Sequence, residues 1–292
     1  MLKGKGSLIF KIFNTAFLIL LCVIFLLPIW HVAMGSISDP LQVAAYSGLI
    51  LKPLGEATLG GYRLVMQDSS IWTSYLNTII YVTLATLFGL VLTTLSAYVM
   101  IQKDLYFKGI FILMVTFTMI FSGGLIPTYI LVRNLGMLNT RWALIIPGAV
   151  SAYNIIIMRT SFAAIPEELT DAAKIDGAGH MRILLQIILP VSKAIIAVIV
   201  LFYAVQHWNA WFNASIYLTD RDLYPLQLRL REIVLLVSDN SAIAADSGDD
   251  VLIYRPLIKY ATIMISTIPM MVIYPFVQKY FVTGVMIGSV KG

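Results

Sequence analysis

Few residues in this chain could do chemistry, and most of them sit together. Glu167-Glu168-Leu169-Thr170-Asp171-Ala172-Ala173-Lys174-Ile175-Asp176-Gly177-Ala178 is a polar, partly acidic stretch between two strongly apolar ones, and Leu189-Pro190 closes it. Its chemistry is recognition rather than bond-making. No Ser/His/Asp or paired-acid constellation stands out, so no catalytic residue is assigned. His31, His180 and His207 are far apart in sequence and read as satisfied interfacial histidines rather than metal ligands. There is no Gly-x-x-x-x-Gly-Lys-Ser/Thr, so the chain binds no nucleotide through a P-loop.

The elements that hold this stretch are set by composition. Of 292 residues, 59% are hydrophobic and 12% charged, with a mean hydropathy of +0.87. A soluble domain would carry about twice that charge fraction. The apolar residues form long runs near the ~20 residues needed to cross a bilayer. They do not alternate in polarity, which excludes a transmembrane barrel. The fold class is therefore an all-α polytopic membrane protein. The first apolar run follows Lys3 and Lys5. It reads as a retained helix rather than a signal peptide, since the run is long and no cleavage site follows cleanly. The lone cysteine, Cys22, lies in that helix as an apolar packing residue. Net charge +5 suits inner loops facing anionic lipid, and no basic–aromatic patch suggests nucleic acid.

Gaps between charges predict six spans, at about 10–34, 73–101, 109–132, 142–160, 191–214 and 257–283. They divide the chain into an N-terminal helix and outer segment (1–72), a transmembrane core (73–283) carrying the loop 165–190, and a tail (284–292). Lys103 and Lys108 flank a tight turn that should stay inside, and the five tryptophans then fall at outer ends of spans. This places both termini in the cytoplasm. The outer segment 215–256 includes an aspartate-rich stretch, 238–250, that reads as a solvated loop, with calcium binding a weaker alternative.

Within the polar stretch, Pro166 suits the first turn of a helix, and Glu167 and Glu168 suit its positive end. Leu169, Ala172, Ala173 and Asp176 fall on one helical face. Gly177 can take the left-handed conformation that ends this helix. A second short helix follows near 180–189, and Pro190 opens the fifth span. Two short helices at an angle make a knob that can seat in a partner's cleft. An amphipathic helix resting on lipid would explain the polarity, but not the paired alanines, the Asp-Gly-Ala turn and the Leu-Pro together.

Asp171-Ala172-Ala173-Lys174-Ile175-Asp176-Gly177-Ala178 with Ile188-Leu189-Pro190 closely resembles the EAA loop of permease subunits in bacterial ABC importers. Asp171 stands where the family usually has Glu. The lead-in Ile165-Pro166-Glu167-Glu168-Leu169 resembles carbohydrate-type, maltose-transporter-like members. So do Gly60-Gly61-Tyr62, Tyr75-Leu76-Asn77-Thr78 and the tail 280–292, most closely in the Gram-positive branch serving larger oligosaccharides. The resemblance implies the type I ABC importer permease fold. It also implies that Glu168, Asp171, Ala172, Ala173, Asp176, Gly177, Ala178, Leu189 and Pro190 dock an ATPase, which Val290, Lys291 and Gly292 also approach. ATP and Mg would be bound by that partner and no cofactor by this chain. Implied partners are a homologous second permease, two ATPase subunits and an extracellular solute-binding lipoprotein that delivers an oligosaccharide, in a bacterial cytoplasmic membrane. On this reading Gly177→Asp inserts normally but uncouples ATP hydrolysis from uptake.

The predicted spans carry no fixed charge, as suits a passage for a neutral polar solute. Tyr129, Tyr153, Asn154, Gln206, Trp208, Asn209 and Asn213 are candidates for its wall, and amides that bridge helices are the competing reading. Ser122-Gly123-Gly124 and Pro127, and Pro269 and Pro275, can bend their spans. The rival functions are an ion-gradient-driven secondary carrier, a membrane enzyme, or an ABC importer permease for a non-sugar substrate.

Overall fold

A computed structural model describes residues 5–238 and 249–289, and those residues are helical with no strand. The main helices are α1 (Lys5–Ser36), α2 (Ser69–Ile101), α3 (Lys108–Ile120), α4 (Leu125–Asn134), α5 (Ala152–Ala163), α6 (Glu167–Ile175), α7 (His180–Val191), α8 (Lys193–Trp208), α9 (Leu226–Ser238) and α10 (Asp249–Ser289). Most of the stretch 238–250 and the contact residues Val290, Lys291 and Gly292 lie outside the described residues.

Among the described residues, α1, α2 and α10 contain helices long and apolar enough to cross a membrane. The other predicted spans are broken. The third, 109–132, turns by 112° between α3 and α4. The cause is local: Phe121 is extended, Gly124 has φ +83°, and Ser122 Oγ accepts from Gly124 N at 3.2 Å. The fourth, 142–160, is split at Pro147-Gly148 into the short helix Trp142–Ile145 and α5, which Ser151 caps. The fifth starts at Lys193 rather than Pro190, after an 87° bend at Ser192. Pro190 has no N–H to give to the Gln186 carbonyl, and the helix before it widens into a π turn over Leu184–Ile188. By contrast α10 runs unbroken through Pro269 and Pro275. Such short helices are tolerated at membrane depth where protein covers their ends.

The chain forms two compact units, Met1–Ile71 with Leu230–Pro269 and Trp72–Arg229 with Met270–Gly292. In the first, Gly60 and Gly61 lie so close to Tyr254 and Leu257 that a Cβ would come within 2.2 and 2.8 Å of them, and Tyr62 Oη meets Ser36 Oγ at 2.8 Å. His31 accepts from Ile50 N at 2.9 Å and contacts Tyr260. Cys22 is exposed on α1 instead of packed.

In the second unit α5 packs against both α3 and α8. Tyr203 is fully buried at the crossing. Its hydroxyl meets Thr93 Oγ1 at 2.6 Å and accepts from Ser151 N at 3.0 Å. Gly89 lets α2 approach: a Cβ there would lie 2.6 Å from the Ala149 carbonyl oxygen. Asn77 Nδ2 donates to the carbonyls of Asp222 and Tyr224, its Oδ1 accepts from Arg141, and Thr78 Oγ1 accepts from Leu226 N. The Tyr75-Leu-Asn-Thr motif thus clamps the segment 222–226 onto α2.

Candidate functional site

The polar loop folds as two helices joined by a tight turn. Pro166 precedes the first turn of α6 with an extended backbone, and Glu167 and Glu168 occupy that turn. The helix ends in a Schellman motif: Ala178 N donates to Ala173 O at 2.9 Å and Gly177 N to Lys174 O at 3.0 Å, with Gly177 at φ +76°. Both bonds satisfy carbonyls that the helix end would leave open.

The two alanines of the predicted helical face separate. Ala173 packs inward with Ala178, Leu189 and Ile165 on a buried cluster of Met158, Phe162, Ile183, Leu184 and Ile188. Ala172 stays exposed, with Glu168, Asp171, Asp176, Gly177 and Pro190. The sequence-predicted set therefore contains fasteners (Ala173, Ala178, Leu189) and residues free to meet a partner. Three apolar residues escaped the sequence reading: Ile175 is 86% exposed, and Met181 and Leu185 are about half exposed, as is Leu169 on the predicted face. An isoleucine beside the turn of a polar helix was the available signal. Exposed apolar side chains on charged helices suit a partner's groove.

The knob is tied to the neighbouring turn. Lys103, just after α2, pairs with Glu167, and that hydrogen bond holds the Lys103 ammonium above the ordinary lysine pKa. Lys174 pairs with Asp171 at 3.2 Å. Tyr98 Oη meets His180 Nδ1 at 3.2 Å.

A second site lies among α5, α8 and α10. A cavity of about 600 Å³ is lined by Tyr153 and Asn154, Phe202 and Gln206, and Ile273 and Tyr274, with other apolar neighbours. Tyr153 and Phe202 rings lie 6.3 Å apart. Asn154 is buried, yet its side-chain amide bonds no described residue. Three of the seven pathway candidates thus meet, and Phe202 and Tyr274 join them. The other four do not. Tyr129 stacks on Tyr217, Trp208 packs edge-on to Tyr75, Asn209 bonds back to Val205 O, and Asn213 is exposed on the short helix Phe212–Tyr217. His207 is buried against Tyr203 with Nε2 unbonded, unlike the satisfied histidine expected.

The described residues form apolar helices with an exposed, Schellman-closed helix pair, the arrangement expected of a transport permease. No protein-family model matches the chain. It is 36% identical over 97% of its length to the polygalacturonan/rhamnogalacturonan transport system permease protein YtcP of Bacillus subtilis, spanning 99% of that protein. It is 37% identical to the protein LplC of the same organism, over 99% of this chain and 97% of that one. A permease chain from the crystal structure of a bacterial ABC transporter involved in import of the acidic polysaccharide alginate superposes with a TM-score of 0.84 at 29% identity, covering 96% of this chain and 99% of that one. The chain belongs to the carbohydrate-type family of ABC importer permeases. It is a transport subunit of the cytoplasmic membrane, and ATP hydrolysis belongs to separate chains.

Proposed function

We propose that this chain is one of two homologous permeases in an ATP-driven importer that takes up a neutral oligosaccharide. An extracellular solute-binding lipoprotein delivers the sugar at the outer face. Two ATPase subunits bind inside, and both termini are cytoplasmic. One ATPase seats the knob formed by α6 and α7, contacting Ala172, Ile175, Asp176 and Met181. The tail residues Val290, Lys291 and Gly292 approach the same partner. ATP and Mg stay on the ATPases. Closure of the ATPases pushes the knob, and the Schellman turn with its inward-facing alanines passes the push to α5 and α8.

The observation that carries this reading is the exposed, apolar-tipped helix pair, since a resting lipid-surface helix would turn Ile175 toward lipid without needing the acids around it. The cavity's lining supports the substrate class. Its wall offers amides and aromatic faces with no charged side chain, which favours neutral sugar rings over uronates. Sugar CH faces stack on aromatic rings while hydroxyls take the amides.

Uptake by the reconstituted importer tests this. Neutral oligosaccharide uptake should require ATP and survive collapse of ion gradients. Gln206→Leu and Asn154→Leu should each lower it about tenfold, the size of one or two lost polar contacts. Uptake driven by an ion gradient without ATP would contradict the proposal. Uptake of galacturonate oligomers in preference to neutral ones would contradict the substrate class alone.

A further inference from the structure

We propose that the cavity behind the coupling loop binds the phosphate of an anionic phospholipid headgroup. This cavity, of about 440 Å³, lies between the end of α2, the 102–107 turn, the end of α5, and α6. Four cations face three carboxylates in its wall, a net of one positive charge. Most of these groups are committed. Lys103 pairs with Glu167, Lys174 pairs with Asp171, and Lys108 Nζ donates to the carbonyls of Ile101 and Gln102 at 3.1 and 3.0 Å.

Arg159 is different. It lines the cavity, its Nε is buried without a hydrogen-bond partner, and it makes no ion pair with a described residue. A buried, unmet donor on a charged group is costly, and a guanidinium fork matches two phosphate oxygens. The ligand is thus an oxyanion. A single net positive charge suits the one negative charge of a phosphodiester, and the three carboxylates disfavour a more highly charged free phosphate.

The turn that walls the cavity points to the source. Tyr106 and Phe107 are 86% and 74% exposed, and α3, which follows, exposes Ile110, Leu113, Met114 and Phe117. Aromatic side chains at the end of an apolar helix sit at headgroup level. A lipid whose chains lie along α3 brings its phosphate to Arg159. So placed, the headgroup touches both the 102–107 turn and α6, whose Lys103–Glu167 pair it braces. The site needs neither the ATPase nor the sugar.

Native mass spectrometry of the full chain, titrated with phosphatidylglycerol in detergent, tests this. Retained phosphatidylglycerol, with affinity about tenfold lower in Arg159→Gln and unchanged in Lys52→Gln on the outer segment, is expected. Phosphatidylcholine should bind more weakly, and excess inorganic phosphate should not displace the lipid. Equal affinity in Arg159→Gln overturns the site. Displacement by inorganic phosphate overturns the lipid as its occupant. If Arg159→Gln fails to fold, photoactivatable phosphatidylglycerol on the wild-type chain decides. Label on residues 98–108 supports the site, and label confined to other segments overturns it.

Discussion

Gly177 is held by conformation and not by crowding. Its φ is +76°, and no atom lies within 4 Å of where a Cβ would stand. Asparagine enters this region readily, whereas a β-branched residue pays about 1–2 kcal/mol. Gly177→Asn should therefore keep uptake coupled to ATP hydrolysis. Gly177→Val should unravel the turn and uncouple the two, read as sugar moved per ATP hydrolysed and as amide exchange over 167–191. Asn77 makes a second test at this scale. Asn77→Ala strips the donor from the Asp222 and Tyr224 carbonyls and should cost about 1–3 kcal/mol in thermal unfolding in detergent. The turn at Gly177 was legible because Asp-Gly-Ala after a helical run has few other conformations. The division of labour between Ala172 and Ala173 was not. Helical periodicity groups small apolar residues without telling the chain's own core from a partner's surface. Asn77 was legible only as a motif, since the carbonyls it holds lie 145 and 147 residues further along.

At the scale of elements, the breaks decide the architecture. Ser122-Gly123-Gly124 announced the bend between α3 and α4, because glycine there relieves a positive φ. Pro147-Gly148 carried the same kind of signal, but its apolar flanks masked it as one span. Pro269 and Pro275 sent the opposite message, and α10 continues through both. A proline removes one hydrogen bond, and a long helix in an apolar setting retains enough others to stay whole. The approach of α2 to the segment before α5 rests on Gly89. Gly89→Ala would push a methyl against the Ala149 carbonyl and Tyr203, costing about 1–3 kcal/mol and lowering the melting temperature. The Lys103–Glu167 latch is exposed, so its effect is mechanical more than energetic. Because the lysine pKa is raised, the charge that Lys103 brings to the latch is fully present below the ordinary lysine value of 10.5 and lost as pH rises through the raised one. Protection of the α6 amides, taken relative to their intrinsic exchange rates, should stay flat through neutral pH, fall in Lys103→Glu, and return toward wild type when Glu167→Lys is added.

In the second compact unit, α5 and α8 line the neutral cavity and also share a buried cluster with the helix pair, through Met158, Phe162, Ile199 and Tyr203 on one side and Ile183, Leu184 and Ile188 on the other. The membrane class was plain from composition, since a chain so apolar and so poor in charge has no other stable setting. The cavity was only half legible. Tyr153, Asn154 and Gln206 meet because α5 and α8 cross, and no spacing rule gives that crossing. Tyr129 and Trp208 looked equally apt as stacking partners, yet both are used inside the fold. If the loop meets an ATPase, the side chain at its exposed apolar tip must touch that partner. A photo-crosslinker at position 175, in membranes holding the assembled importer, addresses it most directly. A covalent adduct with a nucleotide-binding chain is expected, and none from the same crosslinker at Phe13 on α1. Adducts to lipid alone at position 175 would contradict it and leave the helix pair a membrane-surface element.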